Sequence, residues 1–274
     1  MILCLLTLIV IGSVWIYMGN TQIKVTSYEI KSSKITQDFH DFKIVQVSDL
    51  HNATFGKEQK NLIKLIEQQQ PDIIAVTGDL IDSRRTNIEV AMTFIKKAIT
   101  IAPVYYVNGN HEARIKTYDS LVKQMVEAGV IILDDARMSF EKGNSMIDIM
   151  GLVDPDFFDD DLNVSSSLDT RIKQIGVDKH IFTILLSHRP EYFKAYVKHE
   201  LDLVLSGHAH GGQIRLPWIG GIYAPNQGFF PQYAEGQFIE NKTSMIVSRG
   251  LGNSIIPIRV NNNPELITII LKQE

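Results

Sequence analysis

Short runs of Val and Ile recur along this chain, and five of them close on side chains suited to a metal or a proton. The five are Ser48-Asp49-Leu50-His51, Gly78-Asp79-Leu80-Ile81-Asp82, Gly109-Asn110-His111-Glu112, Ser187-His188 and Gly207-His208-Ala209-His210. A short β-branched run predicts a strand. Where segments of helical period separate such runs, the prediction is an α/β chain whose polar residues gather at the carboxyl ends of strands. Of the eight histidines, His51, His111, His188, His208 and His210 fall in these stretches, leaving His40, His180 and His199 elsewhere.

The predicted elements follow from the same periodicity. Residues 42–48, 72–77, 104–107, 130–133, 146–152, 181–187 and 201–205 read as strands. Residues 57–69, 87–100 and 118–128 read as helices, with a further helix of about ten residues from Pro190. The last third is rich in Gly, Pro and aromatics and leads into strand-like segments 238–247 and 265–271, which predicts antiparallel sheet at the end of the chain. At 274 residues and roughly 100–200 residues per domain, one large domain or two modest ones would fit, and no linker is visible.

A net charge of -4 argues against holding nucleic acid by charge, which needs a surplus of Lys and Arg. Any phosphate chemistry must use a local site. The single cysteine, Cys4, excludes an internal disulfide, a Cys-based zinc site and a Cys/His nucleophile.

Asp49 and His51 are two apart, as are His208 and His210, and extended backbone would turn each pair to one face. The set mixes imidazole, carboxylate and amide oxygen without thiolate, which suits Mn, Fe or Zn. Six or seven such ligands exceed one tetrahedral zinc but match two cations about 3.5–4 Å apart that share a carboxylate. Asp79 is the expected bridge. One cation would take Asp49, His51, Asp79 and His210, and the other Asp79, Asn110, His188 and His208.

The order Asp-x-His, Gly-Asp-x-x-Asp, Gly-Asn-His-Glu, His and Gly-His-x-His resembles the calcineurin-like metallophosphoesterases, with residues 42–271 as one such domain. The resemblance implies an α/β (α+β) fold, a four-layer αββα sandwich of two mixed β-sheets flanked by helices. It also implies two divalent cations on the seven residues named and hydrolysis of a phosphodiester or diphosphate bond by in-line attack of hydroxide. His111, beside Asn110, becomes the candidate general acid, with Asp82 or Glu112 orienting its ring. Arg189, Arg215 and Arg249 are candidate phosphate holders, or else ordinary packing arginines.

Gly211-Gly212-Gln213-Ile214-Arg215-Leu216-Pro217, Ser248-Arg249-Gly250-Leu251-Gly252 and Pro257-Ile258-Arg259 are similar to the membrane-anchored bacterial branch of that family, which includes UDP-2,3-diacylglucosamine diphosphatases. That likeness implies a lipid-linked or envelope-precursor substrate. Two alternatives stay open: a tethered phosphoesterase for soluble nucleotides or phosphomonoesters, and a metal-bearing scaffold without turnover. No obligate protein partner is expected.

Residues 1–23 carry no charge, and eighteen apolar residues in a helix reach about 27 Å, close to a bilayer's hydrocarbon thickness. The expectation is a membrane anchor, read as uncleaved, or else a signal-like segment over residues 1–18, and a polar connection over 19–41. Lys24, Lys31 and Lys34 follow the apolar segment and nothing basic precedes it, which favours a cytoplasmic catalytic domain. Pro217-Trp218-Ile219-Gly220-Gly221-Ile222-Tyr223 and Gly228-Phe229-Phe230-Pro231 either dip into the bilayer interface or line an acyl-chain groove, or pack as a satellite core. The acidic run over residues 154–161 reads as a solvated loop.

Overall fold

The computed structural model describes residues 2–158, 164–253 and 258–274, with backbone alone for residues 2–6, 8, 9 and 164–166. Helix α1 (Ile2–Thr21) leads into β1 (Lys24–Ser32). Then come β2 (Lys43–Val47), α2 (Lys60–Gln69), β3 (Ile73–Thr77), α3 (Ile88–Ala98), β4 (Val104–Val107), the short α4 (Asn110–Ala113), α5 (Tyr118–Ala128), β5 (Ile131–Ile132), β6 (Ala136–Lys142) and β7 (Ser145–Gly151). Helix α6 (Val164–Ile175), β8 (Phe182–Leu186), α7 (Phe193–Lys198), β9 (Leu203–Ser206), β10 (Gly236–Glu240), β11 (Thr243–Val247) and β12 (Glu265–Gln273) complete the order. Two small hairpins lie between β9 and β10: Arg215–Leu216 pairs with Gly220–Gly221, and Tyr223–Ala224 with Gly228–Phe229.

Two six-stranded mixed sheets result. One runs β1-β12-β2-β3-β4-β5 and the other β10-β11-β9-β8-β7-β6. Strands β2 to β5 are parallel, and β12 lies antiparallel to β2 but parallel to β1. In the second sheet β7, β8, β9 and β11 are parallel, with β6 and β10 antiparallel at the edges.

Alternation along each strand builds the layers. Ile73 and Ala75 of β3 face the second sheet, where Ile149, Ile184 and Leu205 meet them. Ile74 and Val76 face the opposite way, onto Leu62, Ile66, Ala91 and Ile95 of α2 and α3. The outer face of the second sheet packs Leu185, Val204 and Val247 against Leu168, Ile172, Phe193 and Tyr196. A strand covered on both faces is apolar at every position, which is why these runs read as continuous in the sequence. Each fully buried Ile or Leu contributes about 1.5–3 kcal/mol, and the sum makes the two-sheet stack the rigid base from which the loops project. The expected αββα sandwich is therefore present.

Several elements depart from expectation. Residues 24–32, read as part of a polar connection, form β1, whose hydrogen-bonding partner lies at the far end of the chain. Strand β6 and helix α6 were not anticipated either. Residues 238–247 are two strands joined by a tight turn rather than one. The end of the chain is mixed rather than antiparallel, because β11 and β12 each also have a parallel neighbour.

Among the described residues no helix is long and apolar enough to cross a membrane, so the expected span is not found there. Helix α1 is tied to the domain at its last turn: Asn20 Oδ1 accepts the Arg259 N–H at 2.8 Å, and Asn20 Nδ2 donates to the Arg259 carbonyl at 3.1 Å. Val10, Ile11, Val14, Trp15, Tyr17 and Met18 are exposed.

Candidate metal centre

The polar stretches leave their strands at the same edge of the two sheets, and their backbones turn sharply there. Asp49, His51, Asp79, His208 and His210 all take left-handed φ values, between 45° and 67°. Non-glycine residues in that region are strained, and such strain collects at functional sites where the surroundings over-determine it. The pairs Asp49/His51 and His208/His210 thus converge from turns beyond the strands, not from extended backbone. The turns pack so closely that a Cβ at Gly109 would collide with the Asp79 carboxylate, and one at Gly207 with Ser48 and Asp49.

Two groups of ligating side chains form. Asp49, His51 and His210 make one, and Asp79, His188 and His208 the other; Asp79 also groups with His51 and His111. His210 Nε2 lies 3.4 Å from Asp49 Oδ1, and His51 Nε2 lies 3.1 Å from His210 Nε2. Asp79 Oδ2 is 3.6 Å from His51 Nε2 and 3.3 Å from His188 Nε2, so it sits between the groups. His188 Nδ1 is anchored on the Thr77 carbonyl at 2.8 Å, leaving Nε2 aimed inward. The His208 backbone N–H and the Ser48 hydroxyl both donate to Asp49.

Burial and charge set the protonation of the cluster. Burial pushes Asp49 up to about 6. Burial also acts against the charge of Asp79, but the His188 charge and hydrogen bond overcome it and hold Asp79 well below the carboxylate range. His188 in turn is held up at about 10 by Asp79 and Asp49 despite its burial. Burial lowers His51 to about 3 and His111 below its usual value. His208 and His210 lie well below the imidazole range, through burial and then the charges of Arg189 and His51 respectively.

These residues fit divalent cations. The donors are oxygen and imidazole nitrogen, matching borderline-to-hard ions. Asn110 Oδ1 is buried with no hydrogen-bond partner, and a buried acceptor left that way costs about 1–3 kcal/mol unless something else satisfies it. Two imidazole nitrogens facing one another across 3.1 Å beside a carboxylate are likewise arranged for a shared positive ion.

The remaining expected residues have other surroundings. The Glu112 carboxylate accepts the backbone N–H groups of Asp79, Ile81 and Gly109 at 2.9, 3.2 and 2.8 Å. Asp82 Oδ1 lies 3.9 Å from His111 Nδ1 and accepts the Arg84 N–H at 2.8 Å. The His111 ring is set by Ser83, whose backbone N–H donates to Nδ1 at 3.0 Å.

The three arginines are ion-paired. Arg189 is buried and donates from Nε and Nη2 to Asp154 at 2.6 and 2.8 Å, and from Nη2 to Asp156 at 2.6 Å. Asp154 is therefore a buried anchor and not part of a solvated loop; residues 159–161 of that run lie outside the described residues. Arg215 and Arg249 share Glu235, and Arg249 also meets Glu265. Arg259, which sequence reasoning left in the tail motif, is fully buried with Nη2 3.4 Å from His210 Nδ1. Only its position in a motif pointed to it, since an arginine packed on a ligand carries no local signature. The aromatics of the hairpins divide: Trp218, Ile219, Phe229 and Phe230 are exposed, whereas Tyr233 packs on Phe193 and Phe238.

Comparison with known proteins agrees with this geometry. The uncharacterized metallophosphoesterase YkuE of Bacillus subtilis is 31% identical over 264 residues, covering 93% of this chain and 88% of its own. The phosphodiesterase YaeI of Escherichia coli is 24% identical over 84% of this chain and 82% of its own. Among solved structures, TT1561 of Thermus thermophilus superposes with a TM-score of 0.54 at 15% identity, covering 77% of this chain and 90% of that one, which is a likeness of fold. Residues 42–212 match the calcineurin-like phosphoesterase family, and on the sandwich, the clustered Asp and His side chains and these likenesses together, the chain belongs to that family and is a metallophosphoesterase.

Proposed function

We propose that the protein hydrolyses a phosphodiester or diphosphate bond with two divalent cations, Mn, Fe or Zn, one on Asp49, His51, Asp79 and His210 and the other on Asp79, Asn110, His188 and His208. The observation that carries this reading is the place of Asp79 Oδ2, within 3.6 Å of His51 and 3.3 Å of His188. When bound, such cations supply positive charge to the phosphate oxygens and lower the pKa of a water from about 15.7 toward about 7.

The chain's own residues do the rest. With Nδ1 accepting from Ser83, His111 carries its proton on Nε2, which faces the Asp79 side of the site at 4.0 Å. From there the Nε2–H hydrogen-bonds the leaving oxygen and stabilises the negative charge that develops on it. The Ser48 hydroxyl donates to the Asp49 carboxylate and the His111 backbone N–H to that of Asp79, which keeps those oxygens from swinging. Turnover of bis-p-nitrophenyl phosphate in Mn²⁺ by the wild type and by His111→Ala tests this. A large loss in the variant is expected; equal rates, or none in either, overturn catalysis.

For the substrate, the reading is a lipid-linked or envelope-precursor diphosphate such as UDP-2,3-diacylglucosamine, met at a membrane surface to which α1 attaches the enzyme, with the domain on the cytoplasmic side. Support comes from the uncharged α1 sequence and from the exposed Trp218, Ile219, Phe229 and Phe230. Those side chains sit on hairpins rooted beside the His210 turn, where the Ile222 N–H donates to the Gly212 carbonyl at 3.2 Å. Rates on a lipid-linked diphosphate against nucleotides and phosphomonoesters decide it: a clear preference for the soluble compounds rejects the lipid assignment.

A further inference from the structure

We infer that Asn226 is a positioning residue, which makes Nδ1 of His208 the ligand atom by holding the other ring nitrogen as a donor. Asn226 sits at the turn of the second small hairpin and carries no signature in the sequence.

A chain of polar contacts from Asp154 to His208 permits one assignment. The Arg189 guanidinium is fixed by Asp154 through two hydrogen bonds at 2.6 and 2.8 Å. An arginine can only donate. Its Nη1 lies 2.9 Å from the Asn226 side-chain amide, which must therefore present oxygen and not nitrogen to it. The same Oδ1 lies 2.9 Å from His208 Nε2. An amide oxygen at that distance needs a proton on Nε2, because the alternative sets two lone pairs against each other.

His208 Nε2 and Arg189 Nη1, 3.3 Å apart, are then two donors sharing one acceptor. Neutral imidazole carries a single N–H, so Nδ1 keeps its lone pair. An imidazole that ligates a metal is neutral. The buried Asp154 carboxylate thus determines, through Arg189 and Asn226, which His208 nitrogen joins Asp79 and His188.

The inference rests on the two-cation reading, and the two are separable by experiment. Long-range proton–nitrogen spectra of the histidine rings, on chelator-treated and zinc-loaded protein, report each tautomer directly, with His208→Gln identifying the signal. The expected result is an Nε2–H tautomer for His208 in the wild type and in Asn226→Asp, which keeps acceptors for both donors, and a mixture in Asn226→Ala. Zinc titration of the same proteins should show one of two cation sites weakened about 10–100-fold in Asn226→Ala, the range for losing a partner of a metal-bound histidine, and restored in Asn226→Asp. An Nδ1–H tautomer in the wild type, or unchanged affinity at both sites in Asn226→Ala, overturns the inference. Uptake of fewer than two cations by the wild type overturns the underlying reading, while the tautomer still decides the contact between Asn226 and His208.

Discussion

One oxygen of Glu112 accepts the backbone N–H of Asp79 at 2.9 Å and that of Gly109 at 2.8 Å, so the turn after β3 and the turn after β4 are held as a single unit. The other oxygen takes the Ile81 N–H at 3.2 Å. A glutamine has one acceptor oxygen and must set its NH₂ against one of these donors. Leaving a buried donor so placed costs about 1–3 kcal/mol. Glu112→Gln should lose stability of that order in urea denaturation at neutral pH and bind Mn²⁺ more weakly. A loss too small to measure contradicts the splint.

Close approach of the turns predicts a second sensitivity. Gly207 has no room for a Cβ beside Ser48 and Asp49. Forcing one methyl into such a place costs typically about 1–3 kcal/mol. Gly207→Ala should therefore be destabilised, with cation uptake impaired because Asp49 must shift; wild-type stability and uptake would show that the turns are not packed as described.

The proton on His111 Nε2 predicts a split between two neighbouring substitutions. His111→Ala should keep its metal content while losing about 10²–10³-fold in kcat, the usual worth of a donor aimed at developing charge. Ser83→Ala should stay within a few fold of wild type, because the hydrogen bond that fixes the ring comes from the Ser83 backbone N–H. A Ser83→Ala loss as large as that of His111→Ala would place the orienting contact in the hydroxyl, which lies 3.1 Å from Nδ1.

What the sequence made legible was what two faces of burial or a recurrent ligand chemistry had marked. Strands β3, β4, β8 and β9 are apolar at nearly every position and β2 at three of five, and Asp49, His51, Asp79, Asn110, His188, His208 and His210 stand where those runs break. Strand β1 was not legible because it is an edge strand, mostly exposed, and alternates Lys, Thr, Ser and Glu with few apolar residues. The left-handed turns were missed since i,i+2 spacing speaks only of extended backbone. Ser83, Asn226 and Arg259 act through contacts between distant segments, made by residue types common on any surface. Arg189 shows the same limit, since the carboxylate it pairs with lies 35 residues away.

A pH effect on stability should come from Asp134. Burial pushes its pKa up to about 6 from the ordinary 3.8, although it accepts hydrogen bonds from Tyr118 and Asn108. The folded state therefore holds this proton more tightly than the unfolded chain does. The residue costs nothing below about pH 4, its cost grows between about pH 4 and pH 6, and above that it stays constant. The rise from 3.8 to about 6 corresponds to at most about 3 kcal/mol, which partial exposure screens to on the order of 1 kcal/mol. Asp134→Asn should gain that stability relative to wild type at pH 7.5 and little at pH 4, measured by urea denaturation at both values. An equal effect at both pH values contradicts the assignment.

The most direct test counts cations. Equilibrium dialysis against Mn²⁺ followed by elemental analysis should give two ions per chain for the wild type and fewer than one for Asp79→Asn, because both of the proposed ligand sets include that carboxylate. Two ions retained by Asp79→Asn, or a wild type that takes up one or none, would contradict the shared site.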